Sequence, residues 1–60
     1  MELYKTYDEA RTALDQAESD VIADMGEDAV DECWFDIVES VAQFCTPGVA
    51  GELRRTQGVG

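Results

Sequence analysis

Histidine is absent from this chain, and cationic residues are scarce. Lys5, Arg11, Arg54 and Arg55 face 14 carboxylates, which leaves a formal net charge of −10 and a pI of about 4.1. Without imidazole the chain lacks the usual general base near neutral pH and the commonest metal ligand. So few cations exclude direct binding to nucleic acid, whose phosphates are met by Lys and Arg. They also argue against anionic membrane surfaces. Cysteine is limited to Cys33 and Cys45, too few for a structural zinc site of Cys and His ligands. The two lie twelve positions apart on one expected helix, about 18 Å along its axis. A disulfide tolerates only about 7 Å between Cα atoms, so both are read as reduced, small core residues.

Other absences narrow the function further. No apolar run approaches the roughly 18 residues of a membrane helix. Met1-Glu2-Leu3-Tyr4-Lys5 is not a basic region followed by an apolar one, so no leader is read there and a cytoplasmic protein is expected. There is no Gly-rich phosphate loop. Asp24-Met25-Gly26-Glu27-Asp28 sets acids around a glycine, but no window has the acids, glycine and glutamate at EF-hand spacing. Paired carboxylates need a pocket before they can act as acid and base, and a small helical chain has little room for one. The expectation is therefore no enzyme, no catalytic residue, no cofactor and no metal ion.

What is present is concentrated between Asp15 and Glu39. The ten carboxylates there are Asp15, Glu18, Asp20, Asp24, Glu27, Asp28, Asp31, Glu32, Asp36 and Glu39, with no Lys or Arg among them. The same stretch holds Val21, Ile22, Met25, Val30, Trp34, Phe35, Ile37 and Val38. A disordered acidic tail has the charge without the apolar residues. This stretch reads as a folded element with a negative outer face. Sixty residues allow one small domain, which buries only roughly 60% of its unfolded surface. Extra stability from a partner or a second copy is expected.

The pattern predicts an all-α fold. Thr6-Tyr7-Asp8-Glu9 is a capping box, with acids at the positive end of the helix dipole. Ala10, Ala13, Leu14, Ala17, Val21 and Met25 recur at helical spacing, and Gly26 is the stop, in the left-handed C′ conformation. A first helix is placed at about 7–25. Asp28 is a candidate N-cap for a second helix at about 28–45. Its stripe is Val30, Cys33, Trp34, Ile37, Val38, Val41, Phe44 and Cys45, and it ends at Thr46-Pro47-Gly48. The short turn at Gly26 favours an antiparallel two-helix hairpin. The competing arrangement is one long helix through Gly26, at a cost of about 1 kcal/mol. It would align Asp20, Asp24, Asp28, Glu32 and Asp36 in one row. Thr46-Pro47 can cap a short third helix with Val49 and Leu53 inward, but the glycines of residues 46–60 argue against much order, so a short helix or a turn is expected to about Arg55. Residues 56–60 are expected to be a loose, disordered tail.

Trp34 and Phe35 are adjacent, so a helix turns them about 100° apart. If Trp34 packs inward, Phe35 lies at the edge or outside, where an aromatic among acids looks like an interface anchor.

In length, charge and its row of carboxylates in Asp15–Glu39, the chain resembles small acidic inhibitor proteins encoded by phages and plasmids, of the anti-CRISPR and DNA-mimic anti-restriction type. The resemblance covers about half the chain and carries no specific motif. It implies an inhibitor in the host cytoplasm that presents carboxylates where phosphates would sit. Helical residues four apart advance about 6 Å, close to the spacing of phosphates along a strand. The expected partner is a basic nucleic-acid-binding protein or complex. The expected contact residues are Asp20, Asp24, Glu27, Asp28, Asp31, Glu32, Asp36 and Glu39 on the acidic face, with Trp34 and Phe35 as aromatic anchors. The alternative is a helical assembly or regulatory module, antitoxin-like or adaptor-like. It would dimerise or dock through the Trp34–Phe44 stripe, which is too bulky for an alanine-lined helix to cover alone.

Overall fold

The computed structural model describes residues 3–58. Among these the chain is helical, in four segments: α1 (Tyr7–Met25), α2 (Glu27–Glu32), α3 (Trp34–Ala42) and α4 (Pro47–Thr56). α1 has the bounds expected of it. The Thr6 hydroxyl oxygen accepts from the Glu9 backbone N–H at 3.2 Å. The same hydroxyl, rather than the Thr6 N–H, pairs with the Glu9 carboxylate at 3.2 Å. Ala10 and Leu14 are fully buried, and Tyr7, Ala13, Ala17 and Val21 pack at the edge of the core. Met25 adjoins the turn, is 58% exposed, and so leaves that inward face.

Gly26 stops α1 differently from the expected left-handed cap. Its backbone is at φ 92° and ψ 168°, a region essentially restricted to glycine. Its N–H still donates to the Ile22 carbonyl at 2.9 Å. The chain therefore turns sharply at one residue, and the single long helix does not form. α2 begins directly at Glu27 without a side-chain cap. Asp28 lies in its first turn rather than at the N-cap.

The second expected helix is broken at Cys33, which sits at φ −106° and ψ 14°. Two hydrogen bonds of 2.9 Å span the break, from Cys33 N–H to Ala29 carbonyl and from Ile37 N–H to Cys33 carbonyl. Like charges four apart, at Glu27/Asp31, Asp28/Glu32 and Glu32/Asp36, weaken a continuous helix by a few tenths of a kcal/mol per pair. The bend also lets Val30 of α2 and Ile37, Val38, Val41 and Ala42 of α3 all enter one core.

α3 ends at Ala42, earlier than the expected position 45. Residues 44–46 instead pair with the lead-in. The Tyr4 N–H donates to the Phe44 carbonyl at 2.8 Å, and the Thr46 N–H donates to the Tyr4 carbonyl at 3.1 Å. Phe44 is half-buried as a result, whereas Cys45 is buried. Pro47 then opens α4, whose Ala50 and Leu53 are buried, with Val49 packed beside them.

α4 closes the structure. It packs on both α1 and α3, so Ile37, Val38 and Val41 are no more than 5% exposed. The Tyr7 hydroxyl and Thr56 Oγ1 are 3.0 Å apart. Trp34 Nε1 donates to the Gln57 carbonyl at 3.3 Å. Of the residues expected to form a loose tail, Thr56 belongs to α4, and the N–H groups of Gln57 and Gly58 donate to the Leu53 and Arg55 carbonyls. Val59 and Gly60 lie outside the described residues.

Candidate acidic interface

Three consecutive elements carry the carboxylates outward. Asp20 and Asp24 come from the second half of α1, Glu27, Asp28, Asp31 and Glu32 from α2, and Asp36 from the first turn of α3. All seven side chains are exposed. They are exposed because the apolar residues on each element take the inward positions: Ala17 and Val21, then Val30, then Ile37 and Val38. Asp20 and Asp24 remain one helical turn apart, as do Asp28 and Glu32. The Gly26 turn separates the two pairs, so the five acids form no single row.

Among the described residues the ion pairs are Arg11–Asp15 at 3.4 Å and Arg54–Glu39 at 2.7 Å. None of the seven exposed acids is in either. Asp20 accepts a hydrogen bond from Gln16 Nε2 at 3.0 Å.

Glu39 is different. It accepts from Arg54 through both carboxylate oxygens, from Nη2 at Oε2 (2.7 Å) and from a bifurcated Nε at Oε1 (3.0 Å) and Oε2 (3.2 Å). That bidentate hydrogen bond is the main cause that holds the Glu39 carboxyl below its ordinary value. Partial burial opposes it, and the Arg54 charge assists. Glu39 raises the Arg54 pKa in return, first through the same hydrogen bond. The structure thus places Glu39 in an internal tie between α3 and α4 rather than with the seven unpaired acids.

The two aromatic candidates part company as well. Trp34 is half-buried and tied to Gln57, while Phe35 is 57% exposed. Phe35 has Asp31 and Glu32 one turn before it and Glu39 one turn after. Ile22 and Met25 are also exposed, at 37% and 58%.

A groove of roughly 240 Å³ runs between α1 and α2, lined by Glu18, Ile22, Glu27, Val30 and Asp31. Glu18, Ile22 and Val30 were not among the expected contact residues. The available signal was that Ile22 falls outside the inward stripe of α1, with Glu18 one turn before it on the same side.

Chemically, this surface offers fixed negative charge with scattered apolar contacts. No three Cys, Asp or Glu side chains are grouped to hold a metal ion among the described residues. Neither cysteine is in a disulfide. The Cys45 thiol donates to the Val41 carbonyl at 3.4 Å, and burial pushes its pKa up, which keeps it neutral and unreactive. No helix among the described residues is long and apolar enough to cross a membrane. Comparison of the chain with protein-family models, curated proteins and solved structures gives no match.

Proposed function

We propose that this chain is an acidic protein-binding inhibitor that occupies the nucleic-acid-binding surface of a host defence complex, of the anti-CRISPR or anti-restriction type, by mimicking DNA. The observation that carries the reading is the set of seven exposed carboxylates from Asp20 to Asp36, none in an ion pair among the described residues. Unpaired like charges raise the energy of the folded state, and folding alone does not require them. A basic channel supplies the missing cations, steers association and selects against neutral partners. Resemblance in size and charge to phage-encoded inhibitors supplies the class of partner.

In this reading the α1–Gly26–α2 unit is an antiparallel hairpin that presents Asp20 and Asp24 on one arm and Asp28 and Glu32 on the other. Within each arm the acids are about 6 Å apart along the axis, near the phosphate repeat. Phe35 supplies an apolar contact at the edge. The assembly-module alternative rests on an apolar stripe left uncovered; α1 and α4 pack on α3, whose Ile37, Val38 and Val41 are buried, while Trp34 and Phe44 stay half-buried.

The test is charge reversal of Asp28, Glu32 and Asp36 to Lys, followed by capture of partners from a bacterial lysate. Loss of capture with the helical circular dichroism retained supports the reading. Undiminished capture by the reversed protein rules it out.

A further inference from the structure

α4 carries less local support than α1, on which it packs. α1 opens on the Thr6 cap, whereas in α4 the Thr46 side chain makes no capping bond and the first turn holds no acid. Gly48 and Gly51 lie inside α4, and neither is among the glycines with positive φ, Gly26 and Gly58. A Cβ at either position would meet nothing within 4 Å. Neither the backbone nor the packing requires glycine there, yet glycine costs a helix interior more backbone entropy than alanine. A helix of ten residues is also too short to persist alone in water.

What holds α4 is concentrated in its last turn and just beyond. Leu53 is its one large buried side chain. Arg54 pairs with Glu39 at 2.7 Å, Thr56 Oγ1 lies 3.0 Å from the Tyr7 hydroxyl, and the Gln57 carbonyl accepts from Trp34 Nε1 at 3.3 Å. None of these polar ties is fully buried, so water can satisfy the partners when a tie breaks. At the other end, residues 44–46 are pinned by their backbone bonds to Tyr4. The weakly supported stretch from Pro47 to Gly51 therefore lies between a fixed anchor and a catch that can release.

We propose that α4 is a strap that opens and recloses as a unit, pivoting at Pro47–Gly51 while residues 4–45 keep their fold. Opening uncovers the α3 face of Ile37, Val38 and Val41, which share one core with Ala50 and Leu53. It also withdraws Arg54 from Glu39, so that Glu39 joins the unpaired acids. The strap thus sets how much apolar face and how many free carboxylates the chain presents. The inference stands on how α4 is held and does not depend on what the acidic surface binds.

The test is native-state hydrogen exchange of the intact protein, read amide by amide by NMR in water and in sub-denaturing urea. The proposal expects the amides of residues 50–57 to share one opening, with protection about tenfold or more below that of Leu14 in α1 and Val38 in α3. Low urea should speed the Leu14 and Val38 amides more steeply than those of α4, because opening the strap exposes less surface than unfolding the chain. Val30→Ala separates the two events further. Val30 is buried in α2, which among the described residues packs on α1 and α3 and not on α4. The substitution should speed exchange at Leu14 and Val38 several-fold and leave α4 within about twofold of wild type. Gly51→Ala should slow α4 exchange by about two- to fivefold. Protection in α4 equal to that of Leu14 and Val38, with the same urea slope, overturns the strap, since α4 then opens only when the whole chain unfolds. Equal acceleration of all three helices by Val30→Ala overturns it in the same way. Rates that differ widely from amide to amide within α4 also overturn it, because they report fraying rather than a unit. Should Val30→Ala fail to fold, the urea series on the wild type decides alone.

Discussion

Replacing Leu53 with Ala tests whether α4 is what closes the apolar stripe and leaves the carboxylates as the working surface. Leu53 is 0% exposed and belongs to the same core as Val38 and Ala50. Truncation of a fully buried leucine removes its transfer free energy and leaves a cavity, for about 2–5 kcal/mol. At ~0.05–0.15 kcal/mol per residue, this chain has a total stability of roughly 3–9 kcal/mol. A loss of about 3 kcal/mol is therefore a large fraction of it. With a urea slope of about 1 kcal/mol per molar, the midpoint falls by roughly 3 M. The assay is urea unfolding followed by the fluorescence of Trp34, the single tryptophan, whose indole N–H donates to the Gln57 carbonyl just beyond α4. The control is Phe35→Ala. Full burial of a phenylalanine stabilises by about 1.5–3 kcal/mol, and at 57% exposure the loss is about 1 kcal/mol or less. A Leu53→Ala midpoint within error of wild type, or a Phe35→Ala loss as large as that of Leu53→Ala, would refute the reasoning.

The remaining predictions concern local chemistry. Arg54 depresses the Glu39 pKa in the folded state, so the pair stabilises the fold above the ordinary carboxyl value of 4.5 and the contribution is lost as pH falls through the lower folded value. The stability gap between wild type and Glu39→Gln, from urea melts, should be full near neutral pH and close in acid; a gap independent of pH contradicts the assignment. Gly26→Ala should destabilise by about 1–3 kcal/mol through backbone strain at φ 92°. Gly51→Ala lies inside α4 with open space around its Cβ and should stabilise by about 0.5–1 kcal/mol; thermal melts that reverse this order would be inconsistent with the fold. Thiol labelling under native conditions should modify half-buried Cys33 rapidly, and buried Cys45 only on the timescale of unfolding. Equal rates at the two positions would show that the Val41–Cys45 turn is not closed.

The readable parts of the fold were those written in local chemistry. Thr6 with Glu9, and Gly26 at the other end, mark α1 at its observed bounds because a cap and a positive-φ turn each need particular residues. Thr46-Pro47 marks the start of α4 in the same way. The break at Cys33 has no such marker, since neither proline nor glycine is there and the apolar spacing runs through it. It comes from packing against α1 and from repulsion among neighbouring acids. The Tyr4–Cys45 bridge is a single parallel pairing and leaves no periodicity to detect. It ends α3 early and moves Phe44 off the stripe. Within the candidate site, the exposure of Asp20 to Asp36 followed from the apolar residues on their elements. The Glu39–Arg54 pair did not, because it joins residues on separate helices across the turn at 43–46. The packing of α4 on both α1 and α3 is long-range, and neither the Thr46-Pro47 start nor the inward Leu53 specifies it.

The most direct test of the acidic-interface account is capture of partners on the tagged, intact protein from a bacterial lysate, with elution by salt in parallel with elution by short duplex DNA and by RNA. The account predicts that a nucleic-acid-binding complex is retained at low ionic strength and released by salt, because exposed charges are screened over about 10 Å at 0.1 M. It predicts release by DNA or RNA as well, because both compete for the same basic surface. A partner that resists salt and competing nucleic acid alike, or recovery of the protein's own copies only, would contradict it and place the working surface on the apolar residues Phe35, Ile22 and Met25.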